Sequence, residues 1–173
     1  VGANAAMFSL ADGLVLRPLR VPRSSEIVAV SALAPRASSA FVTTSLVSRP
    51  DYLDLRDRAR SFTGLLAGGT LVTGFAVRQD EPLQSTLGLV VSANFFDVLE
   101  LKPALGRFFL PDEDRVAGRD AVMVIAYNVW TERFGAGPTV LGRRVRLGGV
   151  DFEVIGVAPE GFEGMNVALH PAY

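Results

Sequence analysis

The chain has 173 residues, enough for one or two small domains with a sizeable core. Its formal net charge is −1, with basic residues scattered among acids, which excludes the electrostatic footprint of a nucleic-acid binder. There is no cysteine and one histidine, which removes disulfides, thiol catalysis, Cys-based zinc sites and histidine clusters, while 49% hydrophobic residues and a mean hydropathy of +0.32 are high for a soluble domain.

Much of the apolar excess lies at the start. The run from Val1 to Leu16 is interrupted by Asn4, Ser9 and Asp12. It is shorter than the ~20 residues that cross a bilayer, and it lacks the charged start and cleavage site of a signal peptide. The residues alone leave two readings: a buried amphipathic helix, or the end of a membrane-spanning helix that Pro18 stops and Arg17 and Arg20 anchor at the outer interface.

Further along, Glu26-Ile27-Val28-Ala29-Val30 reads as a strand, and Ala34 to Ser45 as a loop. Ser48 is expected to cap a helix from Arg49 to Ser61, with Asp51 completing a capping box. Tyr52, Leu55, Ala59 and Phe62 fall at helical spacing and predict one buried stripe. Gly68-Gly69 is expected to break the chain. Leu71 to Val77 and Leu87 to Val91 predict two strands around a polar turn, Gln79-Asp80-Glu81-Pro82. Asn94 is the expected cap of a short helix carrying Phe95, Phe96 and Leu99.

From Gly106 the texture changes. Pro111-Asp112-Glu113-Asp114 opens a polar loop. Ala121 to Ala126 is a continuous apolar run, expected to be a strand buried on both faces. Asn128 is the expected cap of a helix bearing Trp130 and Phe134, and Gly135 suits its C-terminal turn. Two alternating segments, Arg144 to Leu147 and Val150 to Val154, flank Gly148-Gly149 and predict a tight hairpin. Arg144 and Arg146 can then face Asp151 and Glu153 across it.

No catalytic, cofactor-binding or metal-binding residue stands out. His170, beside Pro171, reads as a solvated residue. Asp112, Asp114 and Asp120 begin a calcium-loop pattern that fails, because Ala117 and Met123 stand where Gly and Glu are needed. Gly135-Ala136-Gly137 follows a helix and lacks the third glycine of a dinucleotide fingerprint, and there is no phosphate loop. Ser92 lacks a nucleophile-elbow context. The aromatic residues Phe95, Phe96, Trp130, Phe134 and Phe152 read first as core.

Several blocks, in order, carry a resemblance. They are Gly2 to Leu10 leading into Leu16-Arg17-Pro18-Leu19; Ser48-Arg49-Pro50-Asp51-Tyr52-Leu53-Asp54 closed by Ser61-Phe62; Val91 to Arg107; Phe134 to Arg143; and Phe152 to Phe162. Together the sequence resembles the MacB-like periplasmic core domain of ABC-transporter permeases, in the wording of the duplicated acidobacterial type.

The resemblance implies an α+β fold: a porter-like α/β sandwich lobe plus a smaller β-rich inserted lobe, preceded by the end of a transmembrane helix. Residues 1–20 would be that helix end and its exit, 21–105 the first part of the porter-like lobe, and 106–173 the inserted lobe, with the C-terminal continuation missing. It implies an extracytoplasmic, non-enzymatic domain at the bacterial inner membrane, facing the periplasm and held to the membrane by its N-terminal helix. The domain would couple cytoplasmic ATP hydrolysis to export or mechanical signalling. The implied partners are a second permease subunit, a separate cytoplasmic ATPase subunit and, in tripartite relatives, a periplasmic adaptor. Two other readings stand beside it. A ligand-sensing module would show a polar pocket with convergent side chains. A carboxylate-dependent hydrolase would show a close carboxylate pair in a cleft.

Overall fold

The computed structural model describes residues 21–30, 47–78, 80–116, 118–162 and 164. The expected membrane-helix end at 1–20, the expected loop from Ala34 to Ser45, and His170 lie outside the described residues. Among those described, no helix is long and apolar enough to cross a membrane.

The elements are helix α1 (Arg49–Arg58), strands β1 (Gly68–Ala76) and β2 (Gln84–Val91), helix α2 (Phe95–Val98), strands β3 (Leu105–Gly106) and β4 (Val122–Ile125), helix α3 (Tyr127–Phe134), and strands β5 (Arg144–Leu147) and β6 (Val150–Val157). Short 3-10 turns occupy Ser24–Glu26 and Pro138–Val140. The strands make one six-stranded sheet in the order β2-β1-β5-β6-β3, with β4 parallel to β6 and the other pairings antiparallel. The architecture is α+β, as the sequence predicts.

The β5–β6 hairpin forms as expected. Gly148 and Gly149 have φ of 59° and 86°, the pair of positive values that a tight two-residue turn requires. The register sets Arg146 opposite Asp151 and Arg144 opposite Glu153, and Arg146 Nε donates to Asp151 Oδ1 at 2.9 Å. At Gly156, a Cβ would lie 2.1 Å from the Arg107 carbonyl oxygen. Only glycine lets the chain after β3 lie this close to β6, and Arg107 N–H donates to the Ile155 carbonyl at 3.0 Å.

Two apolar clusters hold the fold. One joins Phe75 of β1 to Ile125, Val140, Val145, Val154 and Val157, with Trp130 and Phe134 of α3 packed against it. The other gathers Phe95, Phe96 and Leu99, with Ile27, Phe108, Phe109 and Phe162 around them. The Phe96 ring stacks on Phe108 at 3.9 Å and meets Phe95 edge-on at 5.2 Å. Phe95 and Phe96 are therefore core, as expected, whereas Trp130, Phe134 and Phe152 are half-buried.

Several expectations need correction. Glu26 to Val30 forms no strand: Glu26 ends a 3-10 turn, and Val28 and Val30 are exposed with no ladder partner among the described residues. Helix α1 ends at Arg58, because Ala59 turns extended (φ −69°, ψ 125°), so Ala59 and Phe62 leave the helical spacing. The expected stripe is thus reduced to Tyr52; Leu55 and Phe62 are 42% and 43% exposed. Ser48 does cap α1, its Oγ accepting from Asp51 N–H at 3.3 Å, but the Asp51 carboxylate accepts from the Ser48 hydroxyl at 2.7 Å.

Gly68-Gly69 opens β1 instead of breaking the chain, pairing with Val91 and Val90. A Cβ at Gly68 would lie 3.4 Å from the Phe95 ring, in ordinary contact, so β1 runs beside that ring. Helix α3 begins one residue earlier than Asn128, with Ala126 at the cap and no side-chain bond to it. Strand β4 is only half-buried until Ile125.

Candidate functional site

The sequence singles out no catalytic group, and the structure builds instead a set of polar joints that tie distant stretches of chain together. The first lies under α1. Tyr52 is buried, and its hydroxyl sits 3.2 Å from the Leu65 carbonyl and 3.1 Å from Asn94 Oδ1. Asn94 Nδ2 donates to the same Leu65 carbonyl at 2.9 Å. Ser92 donates its hydroxyl proton to Asn94 Oδ1 at 2.8 Å and accepts from Ala67 N–H at 3.0 Å. Asn94 was expected to cap α2, yet its side chain makes no cap bond. Tertiary partners outcompete the local one, because the buried Tyr52 and Ser92 hydroxyls and the Leu65 carbonyl need partners away from water.

This arrangement is structural in its chemistry. The Ser92 hydroxyl is bonded to an amide and a backbone group, with no base among those partners to take its proton. Beside it lies a shallow cleft of about 100 Å³ lined by Arg56, Ala93, Asn94, Asp97, Pro111 and Asp114. Ligand pockets run from roughly 300 to 1,000 Å³, so this cleft admits water or an ion and not a drug-sized molecule. Two carboxylates, Asp97 and Asp114, line it, but Asp114 Oδ2 accepts from Ala93 N–H at 2.9 Å.

The second joint closes the loop after β3. Arg107 forms a two-pronged pair with Glu113, at 3.0 and 2.7 Å, and Glu113 also accepts from Leu110 N–H at 2.7 Å. The hydrogen bond from Arg107 is the main reason that the Glu113 carboxyl is held below its ordinary pKa. Asp112 pairs with Arg115, and Asp120 with Arg119. The acids that began a calcium-loop pattern thus each have protein partners, and among the described residues no group of three His, Cys, Asp or Glu could hold a metal ion.

The third joint ties α3 to the β1–β2 turn. Arg133 of α3 pairs with Glu81 in the β1–β2 turn and donates to Gln84 Oε1 at 2.8 Å. Glu81 in turn accepts from Val77 N–H at 3.1 Å. Arg133 and Glu81 are 52 positions apart, and no local pattern in the sequence links them. The joint lies where β1 meets β5 over only two register pairs, Phe75 with Leu147 and Ala76 with Arg146. The ladder is extended by the Gly148 N–H bond to the Gly74 carbonyl at 2.8 Å, and Phe75 and Val91 carry the hairpin into the two apolar clusters.

Known proteins bear on this geometry. The sequence model of the MacB-like periplasmic core domain matches residues 1–172. The macrolide export ATP-binding/permease protein MacB of Chlorobium luteolum is 29% identical over 163 residues, which cover 92% of this chain and 24% of that protein. This chain thus spans about a quarter of that relative's length. The crystal structure of the periplasmic region of MacB from Actinobacillus actinomycetemcomitans superposes with a TM-score of 0.55 at 22% identity, over 65% of this chain and 50% of that one. The shared fold is what this likeness establishes.

Proposed function

The chain belongs to the family of MacB-like periplasmic core domains of ABC-transporter permeases, and from that premise we propose that it acts as a mechanical element of a membrane transporter. In this reading a separate cytoplasmic ATPase subunit drives a pair of permease subunits in the bacterial inner membrane. Their periplasmic domains carry the motion into export or signalling, with a periplasmic adaptor as a further partner. Residues 1–20 would end a transmembrane helix, 21–105 would form the first part of a porter-like lobe, and 106–173 a smaller β-rich lobe.

The observation that carries this reading is the short ladder between β1 and β5, where the β1–β2 hairpin joins the rest of the sheet. Two register pairs, the Gly148 N–H bond to the Gly74 carbonyl at 2.8 Å, the Arg133–Glu81 ion pair and Phe75 in the first apolar cluster hold it. In this reading the hairpin turns against the rest of the sheet at that joint, as hinge motions require.

The test is transport by the complete permease with its ATPase in proteoliposomes. Arg133→Ala is expected to leave ATP hydrolysis running while export falls. Full export from a permease in which the whole domain has been deleted would overturn the reading.

A further inference from the structure

Among the described residues, three that are not glycine take positive φ: Arg23 at 52°, Glu100 at 55° and Ala136 at 54°. A side chain in this left-handed region strains the backbone, and such residues persist where their surroundings hold them. Two of the three, Arg23 and Glu100, are ion-paired with each other across 77 positions.

Glu100 stands where a helix usually ends on glycine. Its N–H donates to the Asp97 carbonyl at 3.0 Å, and the Leu101 N–H reaches back to the Phe96 carbonyl at 3.0 Å. That is the bond pattern of a helix end closed by a left-handed residue. Glycine would close α2 there without strain, so the backbone does not account for a glutamate. Its carboxylate accepts from Arg23, which also lies 3.6 Å from Glu26.

Arg23 heads a short strap. The Glu26 N–H donates to the Arg23 carbonyl at 2.9 Å and closes the 3-10 turn Ser24–Glu26. On either side of that turn, half-buried Val21 and Ile27 pack on the cluster of Phe95, Phe96 and Leu99. The strap and the end of α2 thus meet twice, through apolar contact and through the ion pair. The paired side chains are about half exposed, so water screens them and the pair holds weakly. Opening frees Arg23 to leave its strained conformation. Two apolar contacts and one weak pair, set against stored strain, make a segment that opens on its own ahead of the core.

We propose that Arg23 and Glu100 form a releasable latch, which seats residues 21–27 on the end of α2, and that export requires it to close. The role in export rests on the transport reading, whereas the latch itself rests on these contacts alone.

The test uses the complete permease with its ATPase in proteoliposomes, and reads hydrogen exchange at the Glu26 and Ile27 amides together with export. Glu100→Gly removes the carboxylate and relieves the strain in one step. Exchange at those amides is expected to rise about tenfold with the thermal midpoint unchanged or raised. Export is expected to fall while ATP hydrolysis continues. A pair that served stability alone would lower the midpoint instead, and that result overturns the proposal. Arg23→Gln removes the pair without touching α2 and is expected to give the same faster exchange. Exchanging the charges, Arg23→Glu with Glu100→Arg, is expected to restore slow exchange and export together.

Unchanged exchange in both single variants overturns the latch, as does a charge exchange that restores neither readout. Full export from Glu100→Gly, when a permease lacking the whole domain exports nothing, overturns the latch and leaves the transport reading standing. Full export from the permease lacking the domain overturns both.

Discussion

The two hairpins of this sheet are built to opposite plans. The β5–β6 hairpin turns on two glycines, carries charges on its outer side that pair across the strands, and buries Val145 and Val154 almost completely. The β1–β2 hairpin has a longer turn, no charged residue in either strand, and exposed valine and leucine along its length. Backbone pairing is extensive in both, so pairing alone does not distinguish them. What differs is enclosure. β6 has neighbours in β3, β4 and β5 and a loop pressed against Gly156, whereas the outer side of β2 has no strand neighbour among the described residues. A strand enclosed this way takes its stability from packing, while an open one leaves apolar side chains exposed.

The sharpest test of that contrast is a matched pair of added methyl groups. Gly156→Ala would drive a Cβ into the Arg107 carbonyl and is expected to cost about 3 kcal/mol or more, because backbone must move. Gly69→Ala meets nothing within 4 Å and is expected to be neutral or stabilising by about 0.5 kcal/mol. Urea melts of both would measure the gap, and similar losses would end the distinction between the enclosed and the open hairpin.

Next in size is the loop that backs β6. Glu113→Gln is expected to cost about 1 kcal/mol, since a charge-assisted pair is lost but Arg107 is 44% exposed and its charge is screened. The sign with pH follows from the lowered pKa of Glu113. A carboxyl held low in the folded state contributes its full stability above the usual glutamate value of about 4.3 and loses it as the pH falls through the folded value. The wild type should therefore lose stability on acidification below that point more steeply than Glu113→Gln. Parallel acid profiles would show that the pair contributes nothing.

Smaller again is Arg146→Ala, which removes the cross-strand pair with Asp151. The expected loss is ~0.2–1 kcal/mol, read as a shift in denaturant midpoint, reduced in high salt. Smallest is Leu87→Thr on the open hairpin, where thermal denaturation of the dilute chain should change by no more than ~0.5 kcal/mol. A large loss there would mean that this face is covered within the chain itself.

Much of this was legible in the residues. The alternation of Arg144 to Leu147 and Val150 to Val154 around Gly148-Gly149 specifies a hairpin and its register, because a two-residue turn leaves one way to pair the strands. Ser48 ahead of Arg49-Pro50 marks a helix start through a bond made within one turn. The order of the blocks from Gly2 to Phe162 was enough to point to the family.

Other features came only from long-range contact. The apolar spacing of Tyr52, Leu55, Ala59 and Phe62 suggested a buried face, but what is buried depends on what lies opposite, and only Tyr52 finds partners, in Leu65 and Asn94. Asn94 has the chemistry of a cap, and distant hydroxyls claim its side chain instead. The candidate joint was invisible for the same reason: Arg133 and Glu81 are ordinary charges in sequence, and only the fold brings them together. Local bonds can be read from neighbouring residues, whereas burial, ion pairs between segments and the exposure of β2 depend on which chain segments the sheet places side by side.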